Sequence, residues 1–235
     1  MGRFERSLPL LGEAGLARLR RAHVLLLGLG GVGSYTAEAL VRAGLGELTL
    51  ADGDVFQASN LNRQLGALTS TLGQKKTAVT AARLRDIDPD LTLHTIEHRL
   101  MPDEADTLLD TAYDYVIDAI DDIPVKIAVA IACHNRRVPL LACLGTGNKW
   151  DPTRLEVTDL FATHTDPLAK RMRKALKDAG VHALEVVFSS EVPLKPRNET
   201  NAYVPPASLP FVPPSAGILL AQVCVQRLLT PLQGA

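Results

Sequence analysis

Apolar residues in this chain fall into short unbroken runs, separated by longer stretches where they recur at helical spacing. "HVLLL" (residues 23–27) reads as a strand buried on both faces, and the alanine-rich stretch after it as a helix through Ala43. "GELTLAD" (46–52) is a second strand ending at Asp52, followed by an irregular connection over 53–72 and a helix from Gly73 to Asp88 that stops before Pro89. "LTLHTIE", "YDYVIDAID" and "PLLAC" continue the strand series, with helices predicted over "PDEADTLLD" and from Ile123 to Arg137. Residues 1–22 read as a basic arm and a short helix. The alternation predicts an α/β fold, a doubly wound, mostly parallel Rossmann-like sheet.

After residue 150 the pattern changes. "RLEVTDL" and "ALEVVFSS" alternate as strands, predicted to extend the sheet in antiparallel fashion, with the basic segment "LAKRMRKALK" between them. Residues 193–214 hold seven prolines and read as a loop or lid; "AGILLAQVCVQRLL" reads as a largely buried closing helix. No repeat or low-complexity tract interrupts the chain.

With 46% hydrophobic residues the chain has material for a full core, and a net charge of −1 confines any nucleic-acid surface to a local patch. Cys133, Cys143 and Cys224 form no C-x-x-C pair, which excludes a cysteine zinc site and fits a reducing compartment. None of the six histidines has ligand-like spacing with another, so no zinc is expected. The charged N-terminus has no signal-peptide core, and the longest apolar tract is about half the ~20 residues of a membrane span. A cytoplasmic protein without membrane contact is the expectation.

The chemistry gathers where such sheets bind ligands, beyond the C-terminal strand ends. "GLGGVG" (28–33) follows the first strand and opens a helix, a layout that seats a phosphate on a helix N-terminus. Gly28, Gly30 and Gly33 alone satisfy the dinucleotide pattern equally well, so a nicotinamide enzyme stays open on the glycines. Four further segments converge there, and a dinucleotide enzyme uses only the first two. Asp52 ends the second strand, where a carboxylate accepts from a ribose hydroxyl. Arg63, within "NLNRQ", and Lys76, in the first turn of the next helix, supply phosphate-neutralising charge. Asp118 and Asp121 close the fourth strand, with Asp121 suited to a metal. A dinucleotide has no use for the basic pair and the paired acids together; a triphosphate with magnesium does.

"GLGGVG", "ADGD", "NLNRQ" and "GQKK" together resemble the ubiquitin-activating enzyme superfamily, which includes bacterial adenylyltransferases of molybdopterin and thiamine synthesis. The extra Gly31 and the Arg-Gln pair carry the resemblance beyond the glycines. It implies ATP as the nucleotide, with Asp52 on the ribose, Asn60, Arg63, Gln64 and Lys76 on the phosphates, and Asp121 on Mg2+. "RFERSLPLLGEAGL", "GTGNKWDPTRLEVTDL", "DPLAKRMRKAL", "VVFSSEVP" and "FVPPSAGILLA" narrow it to the bacterial tRNA threonylcarbamoyladenosine dehydratases.

That resemblance implies one adenylation domain over 1–235, with a nucleotide-binding core (1–150) and a C-terminal extension (151–235). It also implies adenylation of a tRNA-borne carboxylate, ring closure with loss of AMP, and tRNA as partner. A sulfur-transfer protein is an additional candidate partner. On the basic segment, Leu168, Met172 and Leu176 are expected to bury one face, leaving Arg171, Arg173, Lys174 and Lys177 for RNA phosphates. Related enzymes bring an N-terminal arginine across a two-fold axis, which implies a homodimer with Arg6 acting in the partner's site. Two alternatives use the same residues: activation of a ubiquitin-like sulfur carrier, and a silent nucleotide-bound scaffold.

Overall fold

The computed structural model describes residues 2–194 and 206–230. Helix α1 (Leu8–Arg21), kinked at Gly12, leads into β1 (His23–Leu27), α2 (Gly33–Ala43) and β2 (Glu47–Ala51). Then follow α3 (Lys76–Ile87), β3 (Thr92–Ile96), α4 (Ala105–Leu108), β4 (Tyr115–Asp118) and α5 (Ile123–Arg136). The second half holds β5 (Leu140–Cys143), β6 (Leu155–Asp159), α6 (Pro167–Asp178), β7 (Glu185–Ser189) and α7 (Val212–Leu229).

One seven-stranded sheet runs in the order β3-β2-β1-β4-β5-β7-β6. Every pairing is parallel except β6–β7, so the extension joins through a parallel β5–β7 contact and turns antiparallel only at its edge. The strand pattern follows position. All five residues of central β1 are buried, whereas no residue of edge β3 is. Helices α2 and α7 cover one face around Leu26, Leu40, Leu48, Ile117, Leu220 and Cys224. Helix α5 covers the other face, with Val125, Val129 and Cys133 against Leu25, Leu27 and Val116.

Two boundaries differ from expectation. Helix α3 starts at Lys76 rather than Gly73, because Gly73 takes φ 80° and Lys75 forms a β-bridge with Val55. The closing helix starts at Val212, so Pro213 and Pro214 belong to its first turn, where a missing N–H costs no hydrogen bond. The described part of the proline-rich segment, 206–211, is loop, and residues 195–205 lie outside the described residues. At 18 residues, α7 has the length and hydropathy of a membrane-crossing helix, but it packs in the core.

Candidate nucleotide-binding site

The site is built on the end of β1. Leu27 lies opposite Ala51 of β2 and Asp118 of β4, so the glycine turn emerges between two acid-tipped strands. Gly28 donates its N–H to the Ala51 carbonyl (2.8 Å), and Ala119 donates to the Leu27 carbonyl (2.8 Å). Gly28 has φ 87°, and a Cβ there would stand 2.8 Å from the Ala119 oxygen; one on Gly33 would stand 1.8 Å from the Gly28 oxygen. Gly30 is different. A Cβ there would meet only Gln64 Nε2, at 3.9 Å, so its upper face is open. Helix α2 has no side-chain cap, and among the described residues the N–H groups of Gly30, Gly31 and Val32 have no acceptor. Free amides at a helix N-terminus constitute an anion seat.

Asp52 sits at one side of this seat. Its Oδ2 accepts the Leu29 N–H (2.7 Å) and its Oδ1 the Asp54 N–H (2.8 Å). Each carboxylate oxygen retains a second lone-pair position for a ribose hydroxyl. Lys76 is buried, with Nζ 2.8 Å from Asp54 Oδ2 and 3.8 Å from Asp52 Oδ2. Asp54, which sequence reasoning left without a role, therefore orients the lysine. Gln64 is 7% exposed, and its Oε1 is buried without a hydrogen-bond partner among the described residues. The Gln64 atom beside the open face of Gly30 is Nε2, a donor placed toward an anion seated there.

Arg63 packs its stem against Gly31, where a Cβ would stand 3.2 Å from Arg63 Cγ and 3.2 Å from Pro213 Cβ. Its Nη1 donates to the Ser59 carbonyl and to Asn62 Oδ1, both at 2.9 Å, which leaves the other guanidinium donors available. Asn60 is buried beside Arg63 and Gln64 in the loop after β2. Its Oδ1 accepts the Gln57 N–H (2.9 Å) to close the loop, so its oxygen serves the backbone. Asp121 is exposed, two residues beyond the Ala119–Leu27 hydrogen bond. Its neighbour Asp122 accepts from Arg99 (2.7 Å) and caps α5 through Val125 (3.3 Å). The Arg99 guanidinium holds the Asp122 carboxyl below the usual carboxylate range, and Arg99 also faces Asp54 and Asp121.

Two buried lysines escaped sequence reasoning. Lys126 of α5 donates to Asp118 Oδ2 (2.7 Å), with side chains 1% and 0% exposed. Asp118 Oδ1 also accepts the Ile120 N–H (3.1 Å), fixing the turn that carries Asp121. Lys149, just beyond β5, donates to the carbonyls of Gly145 (2.8 Å) and Ser189 (3.1 Å), with Asp166 at 3.7 Å. Asp166 in turn caps α6, so this lysine ties the loop after β5 to the basic helix. Asn148 in the same loop pairs with Ala207 in both directions and accepts from Leu194, laying the proline-rich segment's ends on the site's rim. Cys143 is buried, and that burial pushes its thiol up to about 12.

On α6, Ala169, Met172 and Leu176 are buried and Leu168 is half-buried, while Arg171, Lys174 and Lys177 are exposed. Arg173 is a correction. It donates to the carbonyl of Thr163 (2.9 Å) and that residue's hydroxyl, so it braces the turn before α6 rather than facing RNA. Arg6 is exposed. Arg3 binds Asp88 (2.7 Å) and Phe4 lies under Arg20, which holds the arm by the N-terminal strand ends, away from its own glycine turn.

Parallel topology, an open glycine turn with free amides, an acid at the end of β2 and a buried lysine beside it define a nucleotide-binding protein of the doubly wound class. The chain belongs to the ThiF family, whose profile matches residues 4–230. It is 38% identical to the tRNA threonylcarbamoyladenosine dehydratase of Bacillus subtilis (strain 168), over 98% of this chain and 96% of that protein. It superimposes with a TM-score of 0.90 on the crystal structure of Escherichia coli tRNA N6-threonylcarbamoyladenosine dehydratase in complex with AMP, at 34% identity over 96% of this chain and 93% of the other. The same enzyme in complex with ATP matches over the same shares, with a TM-score of 0.89.

Proposed function

We propose that this protein is an ATP-dependent tRNA threonylcarbamoyladenosine dehydratase acting as one adenylation domain. The observation that carries the reading is the likeness to dehydratases over nearly the full length of both chains, joined to a glycine turn whose amides have no acceptor among the described residues. A carboxylate is a poor electrophile at neutral pH, so dehydration needs a better leaving group. The substrate carboxylate attacks the α-phosphate of ATP and pyrophosphate leaves. The carbamoyl group of the same nucleoside then attacks the acyl carbon and AMP departs, a net loss of water. Because attacker and acyl group share one nucleoside, effective molarities of roughly 10⁵–10⁸ M favour closure without an enzyme thioester.

In this reading the free amides of residues 30–32, Arg63, Gln64 and Lys76 hold the phosphates, and Lys76 exchanges Asp54 for a phosphate oxygen. Asp52 takes the ribose hydroxyls. Asp121 holds Mg2+, which supplies positive charge beside the phosphates. Arg171, Lys174 and Lys177 contact the tRNA backbone, and Arg6 completes the site of a homodimeric partner. In this reading the protein works in the cytoplasm, on ATP and tRNA. No observation favours a sulfur carrier as acceptor. Incubation with threonylcarbamoyladenosine-bearing tRNA, ATP and magnesium tests the reading: mass spectrometry of the nucleosides should show the loss of one water, and an unchanged mass with active ATP hydrolysis would refute it.

A further inference from the structure

A second constellation lies at the opposite end of the sheet. His23 opens β1, Glu47 opens β2 and His94 lies in β3, three neighbouring strands. The parallel register sets His23 opposite Glu47 and His94 opposite Thr49, so residues far apart in sequence meet on one edge. Glu47 Oε1 lies 3.0 Å from His94 Nε2 and 3.5 Å from His23 Nδ1. One ligand atom from each of the three residues lies within 4.8 Å of the others.

We infer that His23, Glu47 and His94 form a binding site for a zinc-like divalent cation. Bonds of about 2.0–2.1 Å at tetrahedral angles put neighbouring ligand atoms about 3.3 Å apart, and the two measured separations straddle that value. Two imidazoles and one carboxylate select a borderline ion such as Zn2+ or Co2+ over magnesium, which takes oxygen ligands. The surroundings are those of a ligating histidine. His23 is 9% exposed, its Nε2 sits 2.8 Å from Thr49 Oγ1, and Tyr113 packs edge-on against its ring at 4.7 Å between centroids. In the ligating tautomer Nε2–H donates to Thr49 and Nδ1 presents its lone pair, the arrangement that fixes a ligand ring. Without metal, the ring also faces the Ala112 carbonyl and Glu47 accepts from His94, so binding exchanges those contacts for coordination. The fourth position opens to solvent past the half-exposed His94 side chain.

The five residues of β1 separate His23 from Gly28 by about 16 Å, so this ion takes no part in adenylation. It would staple the exposed edge strand β3 to central β1. The test uses untagged, chelator-treated full-length protein titrated with Co2+ and then Zn2+ alone. One equivalent of Co2+ should give the visible absorption of a four-coordinate ion, one equivalent of Zn2+ should bleach it, and Zn2+ should raise the unfolding temperature. His94→Ala and Glu47→Gln, both at partly exposed positions, should keep the wild-type circular dichroism and weaken Zn2+ binding at least about tenfold. Asp121→Ala should bind Zn2+ as wild type does. Absence of saturable uptake at one equivalent, unchanged affinity in both variants, or loss only in Asp121→Ala would overturn the inference.

Discussion

Replacing Lys126 with methionine isolates the interaction that sets the turn between β4 and Asp121. Methionine keeps most of the apolar stem and deletes the ammonium that lies 2.7 Å from Asp118 Oδ2. Both side chains are shut off from water, so Asp118 has no solvent to replace its partner. An uncompensated buried charge of this kind costs about 3–5 kcal/mol. For a chain of this size each kcal/mol moves the unfolding midpoint by roughly 2–4 °C, which sets the expected fall at roughly 6–20 °C. Burial already pushes the Asp118 carboxyl above the usual range, with Lys126 pulling it back; removing the lysine pushes it higher. A carboxyl raised in the folded state favours folding when protonated, and that contribution is lost as pH rises through its folded value. The deficit should therefore shrink as the pH falls toward the ordinary carboxylate range and grow as the pH rises from it. Urea and thermal unfolding at each pH measure it, and the double variant Asp118→Leu/Lys126→Met should recover more than half of the loss. A deficit below about 1 kcal/mol, or one that does not change with pH, would refute the account.

Gly30→Ala should stay within about 1 kcal/mol of wild-type stability yet weaken ATP binding about tenfold or more, since its Cβ enters open space over the seat, while Gly33→Ala should fail to hold the turn; calorimetry and thermal unfolding read both. Cys133 and Cys143, each with its thiol pushed up to about 12, and the fully buried Cys224 should resist alkylation in the folded protein at neutral pH, and no thioester should be trapped during turnover. Rapid labelling or a trapped adduct at any of the three would reinstate covalent catalysis. Reversing charge at Arg171 and Lys174 should weaken tRNA binding and shallow its salt dependence by about 0.7–0.9 per lost contact. Arg173→Gln should instead lower stability with the salt slope unchanged. Arg6→Ala and Asp121→Ala homodimers should each be inactive, and mixing them with free exchange should restore about a quarter of wild-type activity, because half of the dimers then hold one intact site. Confirmed exchange without recovery would place Arg6 outside the partner's site.

What was legible in the sequence followed the range of the interaction. Strands β1 and β4 declared themselves because two-sided burial leaves uninterrupted apolar runs, and the glycine turn did so because its glycines stand at fixed spacing right after β1, although Ala119, Arg63 and Pro213, which crowd Gly28 and Gly31, come from far along the chain. Helix starts were blurred wherever one residue changed the outcome: Gly73 with its positive φ delays α3, and Pro213 fits the first turn that a loop reading denied it. Arg173 failed differently. Its spacing on α6 matches that of its basic neighbours, and only the fold brings the Thr163 carbonyl to it.

The same logic separates the two ends of the sheet. At the nucleotide end, Asp52, Arg63, Lys76 and Asp121 occupy the loops that every parallel strand sends to its C-terminal edge, so a sequence read strand by strand already gathers them. Lys126 and Lys149 went unread because each sits on an otherwise ordinary stretch of helix or loop and acquires its meaning from buried partners that only the fold supplies: Asp118 for the first, the Gly145 and Ser189 carbonyls with Asp166 for the second. His23, Glu47 and His94 are the extreme case. Their three strands run parallel, so Glu47 faces His23 directly and lies two positions from the register partner of His94, neighbours across separations no ligand-spacing rule includes, and the pairing of β1 with β2 and β2 with β3 alone brings them together. The crossover helices that make parallel pairing possible are also what hides such a site from the sequence.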